Sequence, residues 1–252
     1  MAQVGLHAYI ALRLKEKTPK KKWFLFSFIL GSIIPDLDKV FTFFFFAFLP
    51  FQKSYDLTYR TFTHSIFTFT VVYLIFLIIY ELTKKQKFLT IGNALISGFL
   101  LHIFIDIFFW FDSIHIFWPL PIEKLNLWTY FNFNNTWFIN TIILLEFVFF
   151  RLFLHKMIDI IISFPSQNGK YLNQIILLSK TQLYFIAILL ICMYFNKYNI
   201  IKYLFYIMYI PSITLIIYYL NIVKDSFNEY SLYKKDLKVK DFSKKSPIRN
   251  IE

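Results

Sequence analysis

The sequence predicts an all-α, polytopic integral membrane protein with about six to eight membrane segments, including a short N-terminal helical hairpin. Of its residues, 58% are hydrophobic and 22% aromatic, and the mean hydropathy is +0.54, well above an average soluble domain. Apolar runs of about twenty residues recur, each long enough to cross the hydrocarbon core as a helix. Lysine clusters flank these runs.

The lysine clusters also bear on binding partners. The formal net charge is +12. The lysines that produce it are concentrated at 15–22, at 84–87 and after 224, next to apolar runs. This is the positive-inside pattern, which also attracts anionic lipid headgroups. We therefore expect membrane lipid as a partner and no nucleic acid, since no folded basic domain is visible. The lone Cys192 excludes an internal disulfide and disfavours cysteine ligation of a metal.

The N-terminal half begins with two runs that are too short to span a membrane. Residues 2–16 and 23–34 flank a lysine-rich turn, and the second run ends at Pro35. They are expected to form a hairpin of half-membrane depth. A third apolar run, 40–51, is followed by a predicted loop at 52–58.

Five longer runs follow and are predicted to be spans: 62–82, 88–111, 137–154, 182–195 and 203–223. Aromatic and mixed loops are expected at 112–136 and 155–180, and Pro211 is a possible kink in the last span. Residues 1–223 would form one membrane domain. Residues 224–252 would be a basic cytoplasmic tail with little fixed structure.

One apolar run carries an imidazole and a carboxylate. His102 and Asp106 are four residues apart within 100–108, so on a helix they share one face. Burying these two side chains unpaired in hydrocarbon would cost several kcal/mol of free energy. They therefore need a polar partner, a water molecule or a metal. Matching polar residues occur elsewhere, namely His7, Asp36, Asp38 and His64.

Depth counting predicts that these residues meet. If both lysine-rich turns are cytoplasmic, a rise of ~1.5 Å per residue puts His7 about 15 Å deep and Asp36 about 21 Å. The same count gives about 22 Å for His102, 28 Å for Asp106 and 30 Å for His64. Polar residues from separate segments thus fall in the middle-to-outer part of the membrane, which favours a shared site.

Each of these residues also has a structural interpretation. Asp36 and Asp38 follow a proline-terminated helix and can cap the next helix. His64 can cap or anchor the start of a span, and His7 alone is a weak signal. As a set, histidine and carboxylate ligands without thiolate favour zinc, with manganese or magnesium as alternatives.

Several further polar residues are weaker candidates. Arg60, four residues before His64, could bind a substrate phosphate or be an interfacial arginine. Asp112 and His115 follow the key helix and are either at the mouth of the site or loop residues. Glu146 is intramembrane, hence a functional candidate, or it pairs with Arg151 or His155.

The order of these motifs resembles the YdjM-like family, regarded as inner-membrane, metal-dependent hydrolases of bacteria and archaea. The resemblance covers roughly residues 1–125 and implies that His7, Asp36, Asp38, His64, His102 and Asp106 are the metal ligands. It rests on His7, Gly31-Ser32-x-x-Pro35-Asp36-x-Asp38, Arg60-x-x-Thr63-His64-Ser65, and His102-x-x-x-Asp106 followed by Phe117-Trp118-Pro119-Leu120.

Two departures from the family pattern affect substrate positioning. Tyr59 stands where a histidine usually precedes the arginine. The usual Thr and Gly after the last motif correspond to Phe109 or Trp110 and to Ser113, with one extra residue in the spacing. The ligand types are also similar to those of zinc-dependent phospholipase C enzymes, a likeness without sequence support.

The sequence thus predicts a membrane-bound, metal-dependent hydrolase of the inner membrane. A water of lowered pKa would attack a phosphoester or related bond of a lipid or membrane-associated substrate. Asp38, Asp106 and Arg60 are the catalytic candidates, the two aspartates as general base if they are not ligands. Two alternatives are a transporter or ion pathway and a non-catalytic membrane scaffold.

Overall fold

The computed structural model describes residues 4–109, 113–122, 125, 136–164, 169–195 and 197–233. In this part of the chain the regular structure is helical, which confirms the predicted all-α class, and the one β-type contact is an isolated bridge between Ile114 and Leu125. The ten α-helices within these ranges are α1 Val4–Arg13, α2 Phe24–Ile33, α3 Asp38–Phe46, α4 Phe51–Thr58, α5 Ile66–Thr83, α6 Gln86–Phe109, α7 Thr136–Ser163, α8 Leu172–Tyr194, α9 Tyr198–Ile222 and α10 Lys224–Tyr233.

Five of these helices are long and apolar enough to cross a membrane. The spans are Ile66–Thr83, Gln86–Phe108, Trp137–Ser163, Leu172–Tyr194 and Tyr203–Ile222. At 1.5 Å per residue, even the 18-residue α5 nearly covers a hydrocarbon core of about 30 Å. Together with the shorter N-terminal helices, they agree with the predicted number of membrane segments.

The N-terminal hairpin forms as predicted and packs into the bundle. Helices α1 and α2 contact each other, while α1 also packs on α7 and α2 on α6. The α2–α6 contact depends on glycine, because a Cβ at Gly31 would lie 2.3 Å from the Leu95 carbonyl oxygen. A Cβ at Gly98 would lie 2.2 Å from the Phe28 carbonyl oxygen. Close backbone approach through small residues is typical of helix pairs in membranes.

The two lysine-rich turns lie at the same end of the bundle, as the depth count assumes. Trp23 immediately precedes α2, and Lys87 is the second residue of α6. The ammonium group of Lys87 lies 4.4 Å from the centroid of the Trp23 ring, and that of Lys22 lies 5.7 Å from it. These cation–π contacts join the α1–α2 turn to the α5–α6 turn.

Several predicted boundaries differ from the structure. Residues 52–58, expected as a loop, belong to α4, which pairs with α3 to form a second short hairpin. Helices α7 and α8 extend into the expected mixed loop, because charged residues such as Asp159 are tolerated where a helix leaves the membrane. The aromatic loop 112–136 lies largely outside the described residues.

The prediction of little fixed structure in residues 224–252 is wrong for the first part of this segment. Its first ten residues form α10, which packs against α2 and α7. Phe227 is fully buried, the Asn228 amide oxygen accepts a 2.7 Å hydrogen bond from the Trp23 amide, and the Tyr230 hydroxyl donates a 2.6 Å hydrogen bond to Glu16. These contacts at the lysine-rich end bury part of α10 and stabilise it as a helix, which its polar composition alone did not suggest. Residues 234–252 lie outside the described residues.

Candidate metal centre

The six predicted ligands come together in one buried cluster. Their exposed fractions are close to zero: 0% for His7, His64 and His102, 1% for Asp36 and Asp38, and 3% for Asp106. Burying so many polar groups away from water costs free energy unless the groups contact one another or a cation. Their mutual contacts therefore define the chemistry of the site.

Four chain segments supply the cluster. His7 comes from α1, and His102 with Asp106 comes from the C-terminal part of α6, where the four-residue spacing puts both on one face. Asp36 lies in the 3₁₀ turn Ile34–Leu37, in which Pro35 ends α2. His64 lies in the 3₁₀ turn Phe62–His64 that precedes α5.

The hydrogen bond of His102 fixes which of its nitrogens can bind a metal. Nδ1 lies 2.9 Å from the Ser32 carbonyl oxygen. Because a carbonyl only accepts, Nδ1 carries the proton and Nε2 keeps its lone pair. Nε2 lies 3.3 Å from His64 Nε2 and 3.4 Å from Asp106 Oδ2. The available nitrogen thus points into the cluster.

His64 is held in a similar way. Its Nδ1 lies 3.0 Å from the Thr63 hydroxyl, and its Nε2 lies 3.6 Å from Asp106 Oδ2. The Thr63 contact holds one edge of the ring, and the other edge faces the cluster.

His7 completes the cluster from the opposite helix. Its Nε2 lies 3.1 Å from Asp106 Oδ1 and 3.7 Å from Asp36 Oδ2, and its ring stacks on that of His102 at 3.9 Å between centroids. Within the described residues, Asp36 Oδ2 is a buried oxygen without a hydrogen-bond donor. A buried carboxylate oxygen in that state is suited to a cation.

Two overlapping groups of donor atoms satisfy the geometry of a metal site. His7, His102 and Asp106 form one group, and Asp36, His64 and His102 form the other. Within each group the donor atoms lie within 4.8 Å of one another, compatible with ligands about 2 Å from a shared ion after small adjustment. The residues present therefore fit a divalent metal.

Asp38 belongs to neither group. Its Oδ2 accepts a 2.9 Å hydrogen bond from the Arg60 amide and lies 3.9 Å from His64 Nδ1, the nitrogen that faces away from the cluster. The turn explains the difference from Asp36, since with three residues per 3₁₀ turn, side chains two positions apart diverge. Asp38 thus stands behind His64, where it holds the backbone at Arg60.

Arg60 is buried rather than interfacial. It is 2% exposed and has a left-handed backbone with φ of 53°. Its Nη2 donates a 2.7 Å hydrogen bond to Asp106 Oδ2. Asp106 consequently contacts a guanidinium and all three histidines, and it is the most highly connected residue of the cluster.

The weaker candidates lie around the cluster rather than within it. Glu146 Oε1 accepts a 2.8 Å hydrogen bond from the Gly5 amide, so it holds the start of the helix that carries His7. The His115 amide donates to the Arg60 carbonyl oxygen at 3.2 Å, which places the loop after α6 against the site. Asp112 lies outside the described residues.

Fold and site together define a polytopic helical membrane protein with a buried histidine–aspartate centre. A family model described as the YdjM inner membrane protein matches residues 2–222. The chain belongs to that family, and the match extends well beyond the residues 1–125 that carry the recognisable motifs. No curated protein matches the chain significantly, and no solved structure does so.

Proposed function

We propose that the protein is a membrane-bound, metal-dependent hydrolase that cleaves a phosphoester or related bond of a lipid or membrane-associated substrate. One observation carries the proposal: two three-residue ligand groups share His102 at the centre of a buried cluster. A purely structural cluster would be expected to satisfy all of its polar atoms internally. Within the described residues, Asp36 Oδ2 and His7 Nδ1 are buried without a hydrogen-bond partner.

The ligand set favours zinc. His7, Asp36, His64, His102 and Asp106 would hold the metal, with Asp38 adjacent. Imidazole nitrogen and carboxylate oxygen are common zinc ligands, and manganese or magnesium would be the alternatives where carboxylates dominate. When bound, such an ion supplies Lewis acidity and lowers the pKa of a coordinated water towards neutrality.

The neighbouring residues would contribute binding and positioning. Arg60 borders the ligand cluster through Asp106, and we infer that its guanidinium would bind phosphate oxygens of a substrate. Asp106, which contacts three histidines, is better suited to ligation than to proton transfer. Asp38 lies outside both ligand groups and behind His64, so it would position His64 and the Arg60 backbone rather than take a proton from a bound water.

The position of the site supports a lipid substrate. His102 lies fifteen residues beyond Lys87 along α6, so by helix rise it is about 22 Å from the lysine-rich end. We infer from the positive-inside pattern that this end, together with α10, faces the cytoplasm. The metal centre would then lie within the outer half of the membrane, where a lipid headgroup is the nearest phosphoester.

The test is hydrolysis by purified protein in lipid nanodiscs, assayed with phospholipids and with a soluble aryl phosphodiester. Activity should disappear after chelation and return with added zinc or manganese. His64→Ala should abolish it, whereas His155→Ala, which removes an exposed histidine of α7, should not. Metal-loaded protein that cleaves neither substrate, or a His64→Ala variant with full activity, would refute the proposal.

A further inference from the structure

The hairpin α3–α4 leaves the candidate metal centre and returns to it. Asp38 is the first residue of α3, and Arg60 follows the end of α4 by two residues. The Arg60 amide donates to Asp38 Oδ2 at 2.9 Å, so the base of the hairpin is closed at the site. Any displacement of the hairpin is thereby coupled to the position of Arg60.

The inner face of the hairpin is polar. Thr42, Ser54 and Thr58 are 7%, 0% and 3% exposed. The hydroxyls of Thr42 and Thr58 are 2.6 Å apart, and that of Thr42 also bonds the Asp38 carbonyl oxygen at 2.9 Å. Thr58 bonds the Ser54 carbonyl oxygen at 2.7 Å. The hydroxyls thus find their partners within the hairpin and require no water.

The outer face of the hairpin is apolar. Phe44, Phe48 and Leu57 are 62%, 73% and 54% exposed. A hairpin with hydroxyls inside and phenylalanines outside inverts the pattern of an element that faces water. In hydrocarbon this arrangement is favourable, since the hydroxyls of Thr42, Ser54 and Thr58 bond within the hairpin and the exposed rings contact lipid.

The apolar face continues into the lipid-facing surface of the bundle. The Phe41 ring lies 5.6 Å from that of Phe62, which lies 6.4 Å from that of Trp118. Ile66 and Phe67 then extend the exposed apolar surface onto α5, a membrane span. Aromatic side chains at this level are typical of the membrane interface.

We propose that α3–α4 is a membrane-inserted substrate platform, whose phenylalanine face lies among acyl chains and contacts the acyl part of a lipid substrate. A lipid seated on this face would have its headgroup near Arg60 at the hairpin base. The substrate contact rests on the proposed hydrolase function, whereas insertion of the hairpin does not.

Spin-label accessibility tests the insertion independently of catalysis. In a Cys192→Ser background, nitroxides are attached at Phe44→Cys or Phe48→Cys in nanodiscs of phosphatidylethanolamine and phosphatidylglycerol. Leu74→Cys on α5 is the lipid reference and Lys85→Cys the aqueous reference. Oxygen should relax the nitroxides on the hairpin as strongly as it relaxes the nitroxide at Leu74→Cys. A water-soluble nickel chelate should have little effect on the relaxation of the hairpin nitroxides. Strong relaxation by nickel, or protection from both reagents by a protein partner, overturns the proposal.

Selectivity between substrates tests the acyl contact. The ratio of kcat/KM for a bilayer phospholipid to that for a soluble aryl phosphodiester should fall about tenfold in Phe44→Ser/Phe48→Ser, because two apolar contacts are lost. The matched variant Leu74→Ser/Ile78→Ser removes two exposed apolar residues of α5 and should leave the ratio within about twofold. An equal ratio in both variants overturns the acyl contact. If the wild-type protein shows no hydrolysis, the proposed function is wrong. Whether the hairpin is inserted in the membrane is then still decided by the spin-label accessibility measurement.

Discussion

Nε2 of His64 and Nε2 of His102 lie 3.3 Å apart in the buried interior. Since His102 Nδ1 donates to the Ser32 carbonyl oxygen, His102 Nε2 presents a lone pair to its neighbour. Either His64 Nε2 donates its proton to this lone pair, or the two nitrogens share a cation. The pair, with Asp106 Oδ2 3.4 to 3.6 Å from both nitrogens, is the geometric centre of the proposed metal site.

Removing the hydroxyl that orients His64 should weaken metal binding without abolishing it. In Thr63→Val, the 3.0 Å contact with His64 Nδ1 is lost and the ring is less well held. Loss of such an outer partner typically lowers metal affinity about 10- to 100-fold. Competition with a fluorescent zinc chelator measures this, and Thr70→Val, which removes a hydroxyl bonded only within α5, is the control. Equal affinities in the two variants would contradict the assigned role.

Replacing Arg60 should affect metal-free protein more than metal-loaded protein. Arg60→Met leaves Asp106 as a buried carboxylate without its guanidinium, a change that costs about 3–5 kcal/mol when nothing replaces the charge. A bound divalent ion would supply that charge, so the loss of Tm should shrink on metal loading. Differential scanning fluorimetry with and without zinc measures both losses. The same Tm loss in both forms would argue against a cation beside Asp106.

Glu146 should act on the site through α1. Glu146→Leu removes the acceptor of the Gly5 amide, which should cost about 1–3 kcal/mol and loosen the helix that carries His7. Glu146→Gln keeps an acceptor oxygen and should largely restore stability and metal affinity. Thermal unfolding and zinc titration of the two variants measure this, with Glu81→Gln on the exposed end of α5 as control. Identical behaviour of the leucine and glutamine variants would contradict it.

The contact between α2 and α6 should not tolerate a methyl group at Gly98. The added Cβ would lie 2.2 Å from the Phe28 carbonyl oxygen, so the backbones must separate and Ser32 would move away from His102. Gly98→Ala should lower both the yield of folded protein and the metal affinity. Size-exclusion chromatography measures the yield, and zinc titration measures the affinity. The neighbouring Ser97→Ala, which loses only a bond to the Asn93 carbonyl oxygen, should behave as wild type. Wild-type behaviour of Gly98→Ala would count against this packing.

Much of the fold could be predicted because the bilayer imposes strong patterns. Continuous apolar runs identify the spans, and the two lysine-rich turns lie at one end, as the Lys87–Trp23 contact confirms. Helix rise puts Asp36 and His102 at nearly the same depth, and periodicity puts His102 and Asp106 on one face. The same count separates His7 from Asp106, which the structure brings to 3.1 Å, so depth indicated a shared region and packing supplied the contact.

What the sequence did not predict depends on tertiary contacts. Helix α4 contains polar residues that composition assigns to a loop, but its Ser54 and Thr58 are buried against α3. Helix α10 folds because Phe227 is buried in the bundle. The buried position of Asp38 behind His64 depends on the 3₁₀ turn before α3, which apolar periodicity does not reveal.

The central claim is most directly tested by the metal content of detergent-purified protein, measured by elemental analysis for wild type and for His102→Ala. We expect one or more equivalents of zinc or manganese in the wild type. The metal should be lost in His102→Ala, which removes the ligand shared by both groups, and retained in the His155→Ala control. Metal-free wild-type protein, or undiminished metal in a folded His102→Ala variant, would contradict the metal centre and favour a transport or scaffold role.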